Sequence, residues 1–298
     1  MEELKEKNQL LSYYIYCIII ITVVLIVVRI LFYFLKSESN LIITGGRDAD
    51  FILIKGMMDS GLVNYYNDTR MPYLYFWYFI FFPVYILPTT IGVYVWDVLR
   101  VISVIYVAKN INQITDDEKD LLFYFFFSGV GYTIDMFLNN NNWLILLLLF
   151  ESLRQLDKGN NWYSGILFSF TMYKIILIIF PLALIISKKI KFKELYYYIL
   201  PLAVICLPYF IFWDYTMQMF HSWTYRGEVD IFTNLIYMIW QFFQTAQLLF
   251  ISINALIFLN SIENDKDRVR KICYGLLFFI YFILILAFIS VPFFRSFN

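Results

Sequence analysis

The sequence predicts an all-α integral membrane protein, a polytopic bundle of about 8–10 membrane helices. Hydrophobic residues make up 61% of the 298 residues, and the mean hydropathy is +0.68, whereas a soluble domain is about 45–50% apolar. Apolar runs long enough to cross a bilayer recur along the chain. Runs such as 18–28 do not alternate with polar residues, which excludes a β-barrel strand pattern. Each span must satisfy its own backbone hydrogen bonds in lipid, so the spans are predicted to be helical.

Apolar runs separated by polar turns predict the individual spans. One transmembrane domain is predicted to cover 1–298, with an outer loop at 36–72 and a second outer loop at 214–231. The first run lacks a signal-peptide cleavage site, so it is predicted to stay as an anchor. The predicted spans are 12–35, 73–90, 91–109, 120–138, 143–156, 163–187, 196–213, 232–259 and 271–292.

Basic loops constrain the topology around the predicted span 163–187. The loop at Lys158 and the stretch 188–193 are both basic, and basic loops favour the cytoplasm. A single straight span cannot leave both flanking loops on one side. A break near Tyr173–Lys174, giving two half-helices that return to the same side, is therefore predicted. With the amino terminus inside, the loop 36–72 lies on the outer or lumenal face.

A short helix is predicted inside the first outer loop, from Ala49 to Ser60. Gly61 suits its carboxyl end, and the helix is expected to lie flat in the membrane interface. Its apolar residues recur at helical spacing on one face: Phe51, Ile54, Met58 and Leu62.

Arg47, Asp48 and Asp50 lie where the chain enters this helix. Aspartate at a helix start caps free N–H groups and suits the helix dipole. The alternative is a functional carboxylate facing a cavity at membrane level, acting as a general base or holding a metal-bound phosphate. Spacing alone leaves both interpretations open. No cofactor is certain, and a divalent metal at Asp48 and Asp50 is possible.

Polar residues within the predicted spans are candidates for function because they are costly in lipid. Asp97 and Arg100 are spaced to form an ion pair or to belong to a site. The four asparagines at 139–142 follow Asp135 and suit either a helix-ending turn or amides presented to a sugar. Lys174 suits either snorkelling to an interface or a contact with a phosphate, and the phosphate is the preferred interpretation.

The second polar stretch carries His221, the single histidine of the chain, and Arg226. A lone histidine is usually structural. With Trp223 and Tyr225 it could instead form a wall for a sugar or a phosphate.

The ordered set of these features resembles the GT-C glycosyltransferases of membranes, over roughly 40–230. Asp48-Ala49-Asp50-Phe51, then Gly61, Tyr66 and Tyr75, is similar to their first lumenal loop. The catalytic subunits of GPI mannosyltransferase I carry a D-x-D and an aromatic residue there, and polyprenyl-phosphate-mannose-dependent alpha-1,2-mannosyltransferases are similar. Further similarities are Asp97 in the third span, Asn140 and Asn142 before an apolar run, Lys174 ahead of Pro181, and the stretch 221–228.

The resemblance implies a hexosyltransferase that uses a polyprenyl- or dolichyl-phosphate sugar donor, and family precedent makes the sugar mannose. The acceptor is a lipid-linked or glycan hydroxyl, and transfer proceeds with inversion. Asp50 is the preferred base, with Asp48 supporting it, and basic residues stabilise the phosphate leaving group. The substrate-binding residues implied are Arg47, Tyr75, Asn140, Asn142, Lys174, His221 and Arg226.

Two other functions fit the same composition. A transporter or lipid-handling permease would use membrane carboxylates for proton or substrate coupling. It predicts two similar halves of the sequence, and these are not visible. A non-catalytic scaffold subunit would not need acids clustered in an outer loop. Membrane lipids and a possible small membrane subunit are the expected partners, and the zero net charge gives no sign of nucleic acid. The expected location is the plasma membrane in a prokaryote or the endoplasmic reticulum in a eukaryote.

Overall fold

The computed structural model describes residues 2–35, 48–67, 73–115, 117–172, 179–224 and 248–260. Within these ranges the protein is all-helical, without a β-strand, as the sequence predicts. Short 3-10 turns lie at Leu62–Asn64, Ile111–Gln113 and Phe192–Leu195. The α-helices are α1 (Glu2–Leu35), α2 (Ala49–Asp59), α3 (Phe76–Tyr85), α4 (Thr89–Asn110), α5 (Glu118–Leu138), α6 (Asn142–Asp157), α7 (Asn161–Ser169), α8 (Ile179–Ile186), α9 (Tyr196–Ile211), α10 (Trp213–Thr224) and α11 (Leu248–Asn260).

Four helical segments in the described part of the chain are long and apolar enough to cross a membrane. This makes the chain a membrane protein by length and composition. Some predicted spans form shorter helices, and the predicted span 271–292 and most of 232–259 lie outside the described residues. A helix rises about 1.5 Å per residue and needs about 20 residues to cross. The four segments are Lys7–Leu31, Thr89–Asn110, Glu118–Leu138 and Phe192–Ile211.

Two predicted spans are corrected by these lengths. The span 73–90 becomes α3, with only 10 residues, because Pro88 disfavours helix at the residue before it and starts α4 instead. The span 143–156 coincides with α6 to within one residue at each end, but α6 has only 16 residues and a strongly buried surface. Both are core helices by length, and neither is long enough to cross a bilayer alone.

The predicted span 163–187 is not one helix. Helix α7 ends at Ser169, and Phe170 to Met172 form turns. Helix α8 then runs from Ile179 to Ile186. The interruption begins just before the predicted break, while Tyr173 and Lys174 lie outside the described residues. The return of the two halves to one side remains a prediction, as do the spans and ends that fall outside the described ranges.

Helix α5 packs against α1 and α11, and α4 packs against α1 and α6. Polar side chains join α1 to α5 inside the bundle. The hydroxyl of Tyr14 lies 2.9 Å from that of Ser128, and that of Thr22 lies 2.5 Å from that of Tyr132. Hydrogen bonds of this kind hold helices together where lipid gives no hydrophobic drive between them.

Helix α2 confirms the helix predicted in the first outer loop. Phe51, Ile54 and Met58 are buried, so the predicted apolar face is the face that packs on the bundle. Gly61 follows the helix with φ +82°, a conformation that glycine adopts without steric cost. The position of this helix in the membrane interface stays a prediction.

The first half of the second predicted outer loop, 214–231, is helical, and the side of the membrane that it faces stays a prediction. Residues Trp213–Thr224 form helix α10, because the polar residues there are spaced among apolar ones at helical intervals. Thr216, Met219 and Ser222 are buried on one side. His221 therefore lies on a helix and is exposed.

Candidate functional site

Arg29, within the apolar helix α1, binds two aspartates from other elements. Its Nε and Nη2 donate to the carboxylate of Asp48 at 3.0 and 2.7 Å, and its Nη1 donates to Asp97. Arg29 and Asp48 are each 8% exposed. A buried guanidinium requires such partners, because an unpaired charge in this setting is very costly. Arg29 therefore ties the start of α2 to α1 and α4.

Arg100, on α4, continues the same network toward α5. It donates to Asp97 Oδ1 at 2.7 Å and Asp135 Oδ2 at 2.9 Å. It also donates to Asn139 Oδ1 at 2.7 Å and to the carbonyl oxygen of Asn140 at 3.1 Å. The predicted pair of Asp97 and Arg100 is confirmed, and it is part of a larger network. Within the described residues, three carboxylates face two guanidinium groups in this network.

Two residues with left-handed backbone meet where α2 approaches the end of α5. Asp48 has φ +52° and Asn139 has φ +58°, a region that asparagine and aspartate tolerate better than most residues. Asn139 Nδ2 donates to Asp48 Oδ1 at 3.0 Å, and the Asp48 N–H donates to the carbonyl of Phe137 at 3.0 Å. The asparagine run is thus the predicted helix-ending turn, and it also positions the first outer helix.

Asp48 occupies the N-cap position of α2, but its side chain makes no capping hydrogen bond. Both of its oxygens are engaged by Arg29, and one of them also by Asn139. The capping interpretation is therefore wrong for Asp48, because pairing with a buried arginine is worth more than capping a partly exposed helix end. A carboxylate with both oxygens engaged by a cation and an amide is also poorly suited to hold a divalent metal.

Asp50 has a different environment two residues further on. It is only partly buried, and its Oδ2 accepts a hydrogen bond from Asn140 Nδ2 at 2.5 Å. Tyr73 lies close by: burial, and then the charge of Asp50, raise the pKa of Tyr73 well above its ordinary value. Of the two aspartates at the start of α2, Asp50 is the more accessible to a substrate.

Aromatic rings surround the start of α2. Phe51 stacks on Tyr85 with ring centroids 4.6 Å apart. Trp96 lies 5.7 Å from Tyr85 and 5.0 Å from Trp143, and its indole N–H donates to the carbonyl of Asn140 at 3.3 Å. The acid, the amide that holds it and the rings form one cluster built from α2, α3, α4 and α6.

The structure brings three of the predicted site residues together: Asp48, Asp50 and Asn140. Asn142 joins this group through its backbone N–H, which donates to Asp135 Oδ1 at 3.2 Å. Tyr75 instead contacts α9, since its hydroxyl donates to the carbonyl of Ile205 at 3.0 Å.

The remaining predicted residues are not brought to this cluster by the described contacts. His221 is exposed on α10. Arg47, Lys174 and Arg226 lie outside the described residues, as does Tyr225, so their roles stay predictions. Within the part of the chain that the structure describes, no group of three metal-ligating side chains forms.

Sequence reasoning missed Arg29, although a signal was present. Arg29 is the one charged residue within the apolar run 12–35, and an arginine at that depth calls for a partner. The identity of the partners could not be read, because Asp97 lies 68 residues further along the chain.

No protein-family model matches the chain, and neither a curated protein nor a solved structure matches it.

Proposed function

We propose that this membrane protein is a glycosyltransferase that moves a hexose, mannose by family precedent, from a polyprenyl- or dolichyl-phosphate donor to a lipid-linked or glycan acceptor. The observation that carries the proposal is the contrast between two neighbouring acids. Asp48 is locked by Arg29, whereas Asp50 is partly exposed and is oriented by Asn140.

Asp50 suits the role of general base. A base must reach the acceptor hydroxyl and keep a fixed direction. Asn140 Nδ2 holds one oxygen of the carboxylate at 2.5 Å, and Asn140 is itself held by Arg100 and Trp96 through its carbonyl.

The proposed step is an inverting displacement. The acceptor oxygen forms a bond to the anomeric carbon while the bond from that carbon to the phosphate oxygen breaks. The electron pair leaves with the phosphate, and the acceptor proton passes to Asp50. Lys174 and Arg226 are proposed to stabilise the phosphate charge.

Helix α2 also suits a substrate that arrives from lipid. Its buried face carries Phe51 and Ile54, while Ile52 and Leu53 are 50% and 38% exposed. An apolar outward side beside the candidate base matches a donor whose carrier is a hydrocarbon chain.

The test is transfer by the purified full chain in nanodiscs. Radiolabelled polyprenyl-phosphate mannose or glucose is supplied with mixed lipid and glycan acceptors. Asp50→Asn keeps the shape and can still accept from Asn140, so we expect normal folding and transfer lowered by at least about 100-fold. Asp59→Asn is the matched control, because Asp59 lies at the other end of α2 with its side chain 63% exposed.

The outcomes separate the assignments. Full activity in Asp50→Asn would remove Asp50 from the role of base. Loss of transfer only in a folded Asp48→Asn variant would reverse the two acids. Absence of transfer from the wild-type protein with every donor and acceptor would count against the proposed function itself.

A further inference from the structure

Three side chains in or next to the aromatic cluster at the start of α2 are buried with unused hydrogen-bonding capacity. Tyr85, Asn141 and Trp143 are 2%, 0% and 3% exposed. The Tyr85 hydroxyl, both polar atoms of the Asn141 side chain and the Trp143 indole N–H have no hydrogen-bond partner among the described residues. Buried polar atoms are usually paired, and each exception calls for an explanation. Such groups suit a ligand that supplies the missing partners.

Tyr85 lies close to the candidate base, and the other two are linked to it through Asn140 and Trp96. Tyr85 stacks on Phe51, the residue after Asp50, with centroids 4.6 Å apart. Its hydroxyl is near enough to Asp50 for the carboxylate charge to act on it. Trp143 packs edge-on against Trp96 at 5.0 Å. Asn141 directly follows the residue whose amide holds Asp50.

The local charge indicates which kind of ligand fits. The two buried guanidinium groups of the neighbouring network, Arg29 and Arg100, are both engaged by carboxylates. Neither of them is left to bind a phosphate. A neutral ring with several hydroxyls suits this position, because a phenol, an amide and an indole N–H can bind hydroxyls while aromatic faces cover C–H groups.

We propose that Tyr85, Asn141 and Trp143 bind the hydroxyl groups of a hexose ring beside Asp50. This inference rests on the proposed function and deepens it, since it assigns the sugar to the aromatic cluster and leaves the phosphate to a more basic part of the molecule. The ring belongs either to the lipid donor or to a glycan acceptor, and the choice of probes distinguishes the two.

The experiment measures binding by the full chain in nanodiscs to three probes: polyprenyl-phosphate mannose, bare polyprenyl phosphate and methyl mannoside. Tyr85→Phe removes only the hydroxyl. We expect it to weaken binding of polyprenyl-phosphate mannose by about 3- to 10-fold, the value of one neutral hydrogen bond. Binding of bare polyprenyl phosphate should not change. If the ring belongs to the acceptor, Tyr85→Phe should instead weaken the binding of methyl mannoside by the same factor.

Tyr124→Phe is the matched control. Its hydroxyl is buried near Ser128 and forms no hydrogen bond among the described residues. It lies about 16 Å along α5 from Asp135, at about 1.5 Å per residue. We expect both tyrosine variants to be as thermally stable as the wild type or more so, because each loses an unpaired buried hydroxyl. Only Tyr85→Phe should alter sugar binding. Trp143→Phe provides the second test, with the same expected selectivity.

The inference would be overturned if both Tyr85→Phe and Trp143→Phe bound all three probes as tightly as the wild type does. It would also be overturned if the wild-type protein bound polyprenyl phosphate equally well with and without its sugar, and if its binding of methyl mannoside did not depend on Tyr85. Transfer that depends on Asp50, together with unaltered binding in these variants, would remove this sugar site and keep the proposed function. Sugar binding that depends on Tyr85 without any transfer would keep the site and remove the glycosyltransferase.

Discussion

Replacing Arg100 by methionine tests the buried ionic network most directly. Arg100 is 0% exposed and donates to two carboxylates, Asp97 at 2.7 Å and Asp135 at 2.9 Å. Removing one partner of a buried ion pair costs about 3–5 kcal/mol. Asp97 keeps Arg29, and Asp135 keeps the backbone N–H of Asn142. We therefore expect the free energy of unfolding to fall by about 4 kcal/mol, in the middle of that range.

The assay is equilibrium unfolding in detergent micelles with increasing dodecyl sulfate, followed by tryptophan fluorescence. Adding Asp135→Asn to Arg100→Met removes the uncompensated charge, so the double variant should be about 2 kcal/mol more stable than the sum of the single effects. Arg154→Met is the control, since Arg154 is a partly exposed arginine paired with Glu151 at 3.2 Å, and it should change stability little. A loss below about 1 kcal/mol in Arg100→Met, less than a typical buried pair, or strict additivity, would refute the reasoning.

Three further predictions follow from packing and ionisation. In Gly92→Ala the new Cβ would lie 2.8 Å from Phe51 Cζ, so we expect the free energy of unfolding to fall by about 1–3 kcal/mol in the same assay. In the control Gly56→Ala the new Cβ has no atom within 4 Å, so the free energy of unfolding should rise by up to about 1 kcal/mol. Equal effects of the two substitutions would contradict this prediction. Gly165→Ala would place its Cβ 1.8 Å from a backbone oxygen of α9, so little monodisperse protein should survive gel filtration, and a normal yield would count against close α7–α9 packing. Burial, and then neighbouring tyrosines, raise the pKa of Tyr66 far above its ordinary value. Its contribution to stability is therefore complete below about pH 10 and is lost as the pH rises further. The Tyr66→Phe variant should lose less stability with rising pH, and identical pH profiles of the variant and the wild type would argue against this.

The helical membrane class could be predicted because its signals are local. A run of apolar residues sets the length of a span, and a span in lipid must satisfy its backbone internally. The short helix α2 and the pair of Asp97 and Arg100 were also readable, since both depend on helical periodicity. The length of α6 was readable to within one residue at each end. The length of α3 was not, because polar and apolar composition does not show where tertiary packing ends a helix.

The sequence by itself determined that this chain is a helical membrane protein with acids at the start of its first short helix. It left open whether those acids cap the helix or do chemistry. Only the tertiary structure decided that Asp48 pairs with Arg29 and that Asp50 is held by Asn140, 90 residues away. The physical reason is that a buried charge takes whichever partner the folded chain brings within hydrogen-bonding distance, and that partner is not fixed by spacing along the sequence.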